Sequence, residues 1–280
     1  QLGDLPGAAK AYQEIIDRWP DRHEIYFGLA NVLSAQGKVS EASKVFRDLE
    51  ARTGTNPEMR MREFDMLAGA GRMQEAKDLL ERSIREMPGE TQFHGMLAQV
   101  YDELGDPGKA LELYEQALQL DPDDSMTRIS LAQYYYDAGK HDQAFEQLRE
   151  AFADPDLDID PKMQLLLGLF QMTSGPDSVS QRMVEESHAL IGVLKKAHPQ
   201  SGKPHSIEGD FLLREEKWAE ARSAFRLALE HEQDKYPIWS ALLQLDLQLQ
   251  DFQATHEDAA KAADLFPTQP EFHLYNMTRP

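Results

Sequence analysis

The chain has 280 residues, with 29 Lys and Arg against 49 Asp and Glu, a net charge of −20, and no cysteine. Its 41% hydrophobic and 28% charged residues are the proportions of a folded protein, while the charge would repel a bare phosphate backbone and argues against a nucleic-acid partner. Disulfides and thiolate chemistry are excluded, and no apolar run approaches the roughly 20 residues that a membrane span needs.

In chain order, Gln1 falls in the middle of a repeat. Asp4 to Trp19 read as the second helix of a pair, with Ala8, Ala9, Tyr12, Ile15 and Ile16 on its apolar face; its partner is expected upstream. Helix pairs follow at residues 23–56, 57–90, 91–124 and 125–158. The clearest is 91–124: Leu97, Ala98, Tyr101 and Leu104 recur at helical spacing, and Gly105-Asp106-Pro107-Gly108 breaks the pattern. Ala110, Leu113, Tyr114, Ala117, Leu118 and Leu120 then resume it until Asp121-Pro122. The unit around Met61–Pro88 is the most degenerate, with Glu63 and Phe64 where Leu and Gly are usual.

An elongated unit occupies 159–201. Its first helix is predicted at Pro161–Met172, with Asp160 as N-cap. Thr173-Ser174-Gly175-Pro176-Asp177 reads as a turn, and Ser178 with Gln181 as a capping box opening a long helix to about Ala197. Pro199 closes this unit nine residues late. The extra length is read as an elongated helix pair, or as a lobe that shapes a groove or docks a partner. Units at 202–235 and 236–269 resume the spacing, pairing Gly209 with Leu243, Trp218 with Phe252, Ala221 with Thr255 and Ala228 with Ala262. Residues 270–280 read as the start of a further repeat, and the natural protein is expected to continue beyond Pro280.

The register is regular. Gly105 has counterparts at Gly3, Gly37, Gly71 and Gly139, each 34 residues from the next, and Ala110 at Ala8, Ala42, Ala76 and Ala144. Tyr114 is matched by Tyr12, Phe46, Leu80 and Leu148, and Pro122 by Pro20 and Pro88. One such unit cannot bury its apolar face alone and must stack on its neighbours. This period and these residue types resemble the tetratricopeptide repeat (TPR) family over essentially the whole chain. The resemblance implies an all-α fold, a TPR solenoid of stacked antiparallel helix pairs forming a right-handed superhelix. The small Ala98, Ala110 and Ala117 would admit close helix approach beside Tyr101 and Tyr114. The repeated glycine is expected to end each first helix in a left-handed conformation.

Candidates for chemistry are sparse. The nine histidines are scattered, and His231-Glu232 and His256-Glu257 lack the second histidine of a zinc-peptidase helix; they read as surface or packing residues. Asp154, Asp156, Asp158 and Asp160 alternate as in a calcium loop, but Ile159 stands at the turn glycine and Leu165 at the bidentate glutamate. No phosphate loop and no catalytic triad can be assembled. Asn276-Met277-Thr278 is a formal glycosylation sequon, read as accidental. The sequence therefore indicates no enzyme, no cofactor and no metal.

What remains is recognition. In TPR arrays, the resemblance implies, first helices line a concave groove that holds a partner polypeptide. The face opposite the packing stripe gives Gln99 and Asp102, then Met126, Ile129, Gln133, Tyr136 and Asp137, then Met163, Leu167 and Phe170, with Lys203, Asp210 and Arg214 further on. The groove reads as polar and acidic around Gln99 and apolar from Met126 to Phe170. It suits a partner segment with apolar anchors and basic residues; Ile129, Leu167 and Phe170 read equally as inter-repeat core. The paired Lys and Asn with which chaperone-adaptor TPR domains clamp a terminal carboxylate are not evident, since Asn31 has Phe27 one turn earlier. The leading reading is a non-catalytic interaction scaffold. The alternatives are a regulatory or carrier region of a larger multidomain enzyme and a self-assembling structural element. The stretches DPDLDIDPKMQLLLGLF and LFPTQPEFHLYN are similar to those of bacterial TPR proteins, envelope lipoproteins included. That similarity implies a periplasmic or outer-membrane-associated assembly role, with the cytoplasm as the alternative.

Overall fold

The computed structural model describes residues 4–173 and 178–277, without the side chains of 178–180 and 275–277. Gly3, the turn at 174–177, the Ser178 half of the capping box and the sequon at 276–278 lie outside what is described. Among the described residues there are sixteen helices and no strand, as an all-α repeat requires.

The chain divides into two compact units, residues 1–134 and 135–280. The first holds α1 (Leu5–Arg18), α2 (His23–Ala35), α3 (Val39–Thr53), α4 (Pro57–Gly69), α5 (Met73–Glu86), α6 (Gln92–Glu103) and α7 (Pro107–Leu120). The division falls within α8 (Ser125–Asp137). The second unit continues with α9 (His141–Ala153), α10 (Ile159–Met172), α11 (Ser178–Ala197), α12 (Lys203–Arg214) and α13 (Trp218–His231). It ends with α14 (Tyr236–Gln248), α15 (Phe252–Leu265) and α16 (Pro270–Met277). Even-numbered helices are the first of each pair and α1 is a second helix, as its sequence indicates. Within each unit the hairpins stack on their neighbours.

The period works through packing. Ala98, Ala110 and Ala117 are fully buried, and Tyr114 nearly so. Leu104 and Leu120, which share their helical stripe, are instead exposed; Leu104 is the C-cap of its helix and Leu120 the last residue of the next. In the second unit Gly209 permits the closest approach: a Cβ there would lie 2.5 Å from the Phe225 ring. Short polar residues set the helix starts. Asp4, Asn56 and Asp106 accept from backbone N–H groups of their first turns. The cap of α10 is Asp158, whose Oδ1 accepts from Asp160 N at 3.0 Å, and not Asp160. The helix opens at Ile159, which puts Pro161 in the first turn, where its missing N–H costs nothing.

Gly37, Gly71, Gly105 and Gly139 all have φ between 70° and 81°. Each belongs to a six-to-one cap, as when Lys38 N donates to Leu33 O at 2.9 Å. The last two complete repeats form the same cap without glycine: Lys217 N donates to Leu212 O and Asp251 N to Asp246 O, both at 2.9 Å. Glu216 and Gln250 therefore sit at φ 58° and 57°, which L side chains adopt only at a cost. Replacing each by Gly is expected to raise stability by about 0.5–1 kcal/mol, read as a higher urea midpoint for E216G and Q250G. An unchanged or lower midpoint in both would show that no strain is held at these turns.

A second regularity concerns a side-chain donor near the start of four of the first helices. Tyr26 Oη donates to Pro20 O at 3.1 Å, Arg128 Nη2 to Pro122 O at 2.8 Å and Trp239 Nε1 to Gln233 O at 2.9 Å, each to the residue six positions earlier. His273 Nε2 makes the same contact with Pro267 O at 3.0 Å. Four chemically different side chains thus tie a first helix to the loop before it. At the equivalent position of α4, Arg60 is buried between Glu50 (2.5 Å) and Glu86 (2.6 Å). Glu63 is buried one turn on, with its pKa raised by desolvation and partly restored by Ser43 and nearby arginines. The sequence degeneracy of this repeat is therefore a polar core.

Candidate protein-binding surface

The sequence-derived groove residues fall in both units. In the first, α6 and α8 lie close enough that a Cβ on Gly95 would be 2.9 Å from Thr127 Oγ1. Gln99 Nε2 bridges the two helices by donating to Ser130 Oγ at 2.8 Å. A hollow of about 530 Å³ opens beside them, lined by Glu90, Gln92, Gln99, Asp121, Asp124 and Met126 among others. Its lining is polar and acidic, with Met126 at one side. Asp102 and Gln133 are exposed, Ile129 is half-buried, and Met126 presents 56% of its surface.

In the second unit, Tyr136 stands against His141 with ring centroids 4.9 Å apart, and its hydroxyl lies 3.9 Å from Met172 Sδ. Asp137 is exposed. Met163 and Leu167 face a hollow of about 420 Å³ between α10 and α12, closed by Gln164, Ser206, Ile207 and Asp210. Asp160 and Lys203 pair at its mouth. Leu167 is 48% exposed and Ile207 buried, so the apolar floor is open on the α10 side. Phe170 is placed differently from its neighbours. Arg214 lies 3.4 Å above its ring, and Phe211 meets its edge at 5.0 Å. Arg214 also donates to Phe170 O and, at 2.8 Å, to Thr173 Oγ1. Phe170 is therefore covered by its own chain, and Arg214 is already engaged.

Asp210 is the distinctive group. Half-buried beside Met163, Leu167 and Ile207, it has no hydrogen bond or ion pair among the described residues. Burial pushes its carboxyl up to about 6, against the partial opposition of Arg214. Together these residues form an apolar floor with one unpaired carboxylate at its edge. Ser206 and Ile207 complete it and were not among the residues read from the sequence; Lys203 and Asp210, which were, also line this hollow.

A further hollow of about 880 Å³ lies between α13 and α15. Gln13, Ile16, Asp17, Tyr26, Leu29, Val45, Asp48, Ala51 and Arg52 enclose a smaller hollow of about 360 Å³ between α1 and α3. Their repeat equivalents, Arg226, Leu229, Glu230, Trp239, Leu242, Asp258, Lys261, Asp264 and Leu265, all line the larger one. A gap between successive second helices is thus a property of the repeat itself.

The aspartates at 154–160 serve turns. Asp154 Oδ1 accepts from Asp156 N at 2.8 Å, as Asp158 does from Asp160. Among the described residues no helix is long and apolar enough to cross a membrane.

Tetratricopeptide repeat profiles match residues 61–125 and 95–158, and a further one matches residues 1–61. The chain belongs to the tetratricopeptide repeat family. No curated protein matches the sequence. Among solved structures, the C-terminal part of a TPR repeat-containing protein from Cytophaga hutchinsonii is similar at 14% identity and a TM-score of 0.50, over 90% of this chain and 100% of that one. Yeast Tom70 is similar at 15% identity and a TM-score of 0.50, over 97% of this chain and 57% of that one. MamA is similar at 24% identity and a TM-score of 0.41, over 53% and 87% of the two chains. At these identities the likeness concerns the fold. Proteins of this family are in general scaffolds that bind other proteins, and that general role is this chain's.

Proposed function

We propose that the second unit holds a partner polypeptide in the hollow between α10 and α12, seating an apolar side chain on Met163, Leu167 and Ile207 and a Lys or Arg against Asp210. The unpaired carboxylate beside that floor is the observation that carries the reading. A half-buried carboxylate whose charge Arg214 offsets only in part is costly, and an incoming basic group lowers that cost. Tyr136 and Asp137 are proposed as further contacts of this unit; in the first unit, taken by itself, Met126, Ile129 and Gln133 are proposed as contacts and Gln99 and Asp102 as a polar, acidic region. Phe170 contributes by holding Arg214 in place. The resemblance of stretches of the sequence to bacterial envelope proteins supports assembly of an envelope complex as the setting.

The test is affinity isolation of the partner from the source organism by wild-type protein, followed by titration against Met163→Lys, Asp210→Asn and Tyr136→Ala. Folding is checked by circular dichroism. Met163→Lys and Asp210→Asn are each expected to weaken binding by about 1.5–3 kcal/mol, roughly tenfold to a hundredfold. Wild-type affinity is expected to rise as pH increases through about 6, where Asp210 ionises. Affinity unchanged in all three variants would remove the hollow as the binding site.

A further inference from the structure

Lys162, in the first turn of α10, has no exposed surface. Its ammonium reaches three groups on two other helices. It donates to Asp154 O and, at 3.4 Å, to Phe152 O, both at the C-terminal end of α9. Its third neighbour is His198 Nε2, at 2.9 Å. His198 follows the last residue of α11, and its own N–H closes that helix on Leu194 O at 2.9 Å.

An ammonium has three protons to give and no lone pair to receive one. Burial lowers the pKa of Lys162, and Asp154 and Asp158 oppose that shift; with Lys162 charged, the contact at 2.9 Å requires a neutral His198 with its lone pair on Nε2 and its proton on Nδ1. Protonating the ring replaces that lone pair with a second N–H and sets two cations against each other. The contact cannot persist in that form.

We infer that Lys162 and His198 form an acid-released clasp, which holds the end of α11 to the junction of α9 and α10 while His198 is neutral and lets it go once His198 is protonated. The charges acting on His198 come from Lys162 on α10 and from Asp154 and Asp158 between α9 and α10. Burial and then Lys162 lower its pKa below the ordinary 6.5, and the two aspartates oppose them. A lowered folded-state value means that the unfolded chain takes up the proton first. The clasp's stabilisation is complete above about 6.5 and is lost as pH falls toward the folded value.

Lys162 adjoins Met163, so release also loosens the α10 wall of the proposed hollow. That consequence rests on the binding proposal; the clasp itself does not. The experiment is amide hydrogen exchange on the full chain, without partner, between about pH 7.5 and about pH 5, corrected for intrinsic rates. Protection at Leu194–His198 and Phe152–Asp154 is expected to fall by about tenfold or more across this range, while α2 holds its protection. His198→Gln keeps an acceptor without titrating and is expected to abolish the change. An equal fall in that variant, or none in wild type, would overturn the clasp. Should the variant fail to fold, the ring carbons of wild-type His198 can be titrated by NMR. An apparent pKa at or above 6.5, or a titration without loss of α11 protection, overturns it equally. Failure of Met163→Lys to affect partner binding would leave this result untouched.

Discussion

Lys162→Ala is expected to lower the stability of the second unit by about 3–4 kcal/mol, far more than loss of an ordinary lysine. Two losses combine. The buried four-carbon stem is removed from a site with no exposure, leaving a cavity. The carbonyls of Phe152 and Asp154 and the His198 ring lose the donor that served all three. Each buried acceptor so stripped costs about 1–3 kcal/mol unless water reaches it. Lys162→Met separates the terms, since it keeps the stem and discards the donor; it should recover roughly half of the loss. Lys203→Ala is the control: its side chain is partly exposed at the Asp160 pair, worth less than about 1 kcal/mol. Urea unfolding followed by tryptophan fluorescence reads the effect, because Trp218 and Trp239 both belong to this unit. A loss below about 1 kcal/mol for Lys162→Ala would show that water takes the place of the ammonium.

Lys162 also marks the limit of what the sequence discloses. The 34-residue period was legible because packing asks for the same small or bulky residue at each return, as at Ala42, Ala76, Ala110 and Ala144. Helix order and the left-handed glycines followed from it; the long α11 followed instead from the place where the period is broken, with Pro199 nine residues late. The donor position was not legible, because the task is shared while the residue is not. Tyr26, Arg128, Trp239 and His273 reach a carbonyl by different side chains, and no common letter recurs. The groove was legible by face only. A period places Phe170 beside Met163 and Leu167, but Arg214, forty-four residues on, covers its ring, and no spacing contains that pairing. The unpaired state of Asp210 was hidden for the same reason, since being unpaired depends on every neighbour at once.

Asp246→Leu is expected to stabilise the protein by about 2 kcal/mol at neutral pH. Its position in the repeat is held elsewhere by Leu33, Leu67, Leu169 and Leu212 and by Tyr101 and Tyr135, and Leu33, Leu67, Leu169 and Tyr135 are buried there. The Asp246 carboxyl is fully buried. Oδ1 lies 3.3 Å from Arg222 and 3.4 Å from Arg226, while Oδ2 has no partner. Burial raises its pKa to about 6; Arg226 and Arg222 oppose the rise and Asp258 adds to it. A raised folded-state value means that the native protein binds the proton more tightly than the unfolded chain does. Stability therefore falls as pH climbs from about 4 to about 6, and the penalty persists above that window. Leucine removes the penalty without stranding the arginines. Arg222 keeps Asp251 and Arg226 keeps Asp258, each at 2.9 Å. The gain should accordingly be greatest near pH 7 and shrink toward pH 4, where the wild-type carboxyl is neutral. Urea midpoints across that range measure it directly. A variant less stable than wild type at pH 7 would mean that the weak contacts to Arg222 and Arg226 outweigh the desolvation of the carboxylate, and that this repeat is held together by its charges.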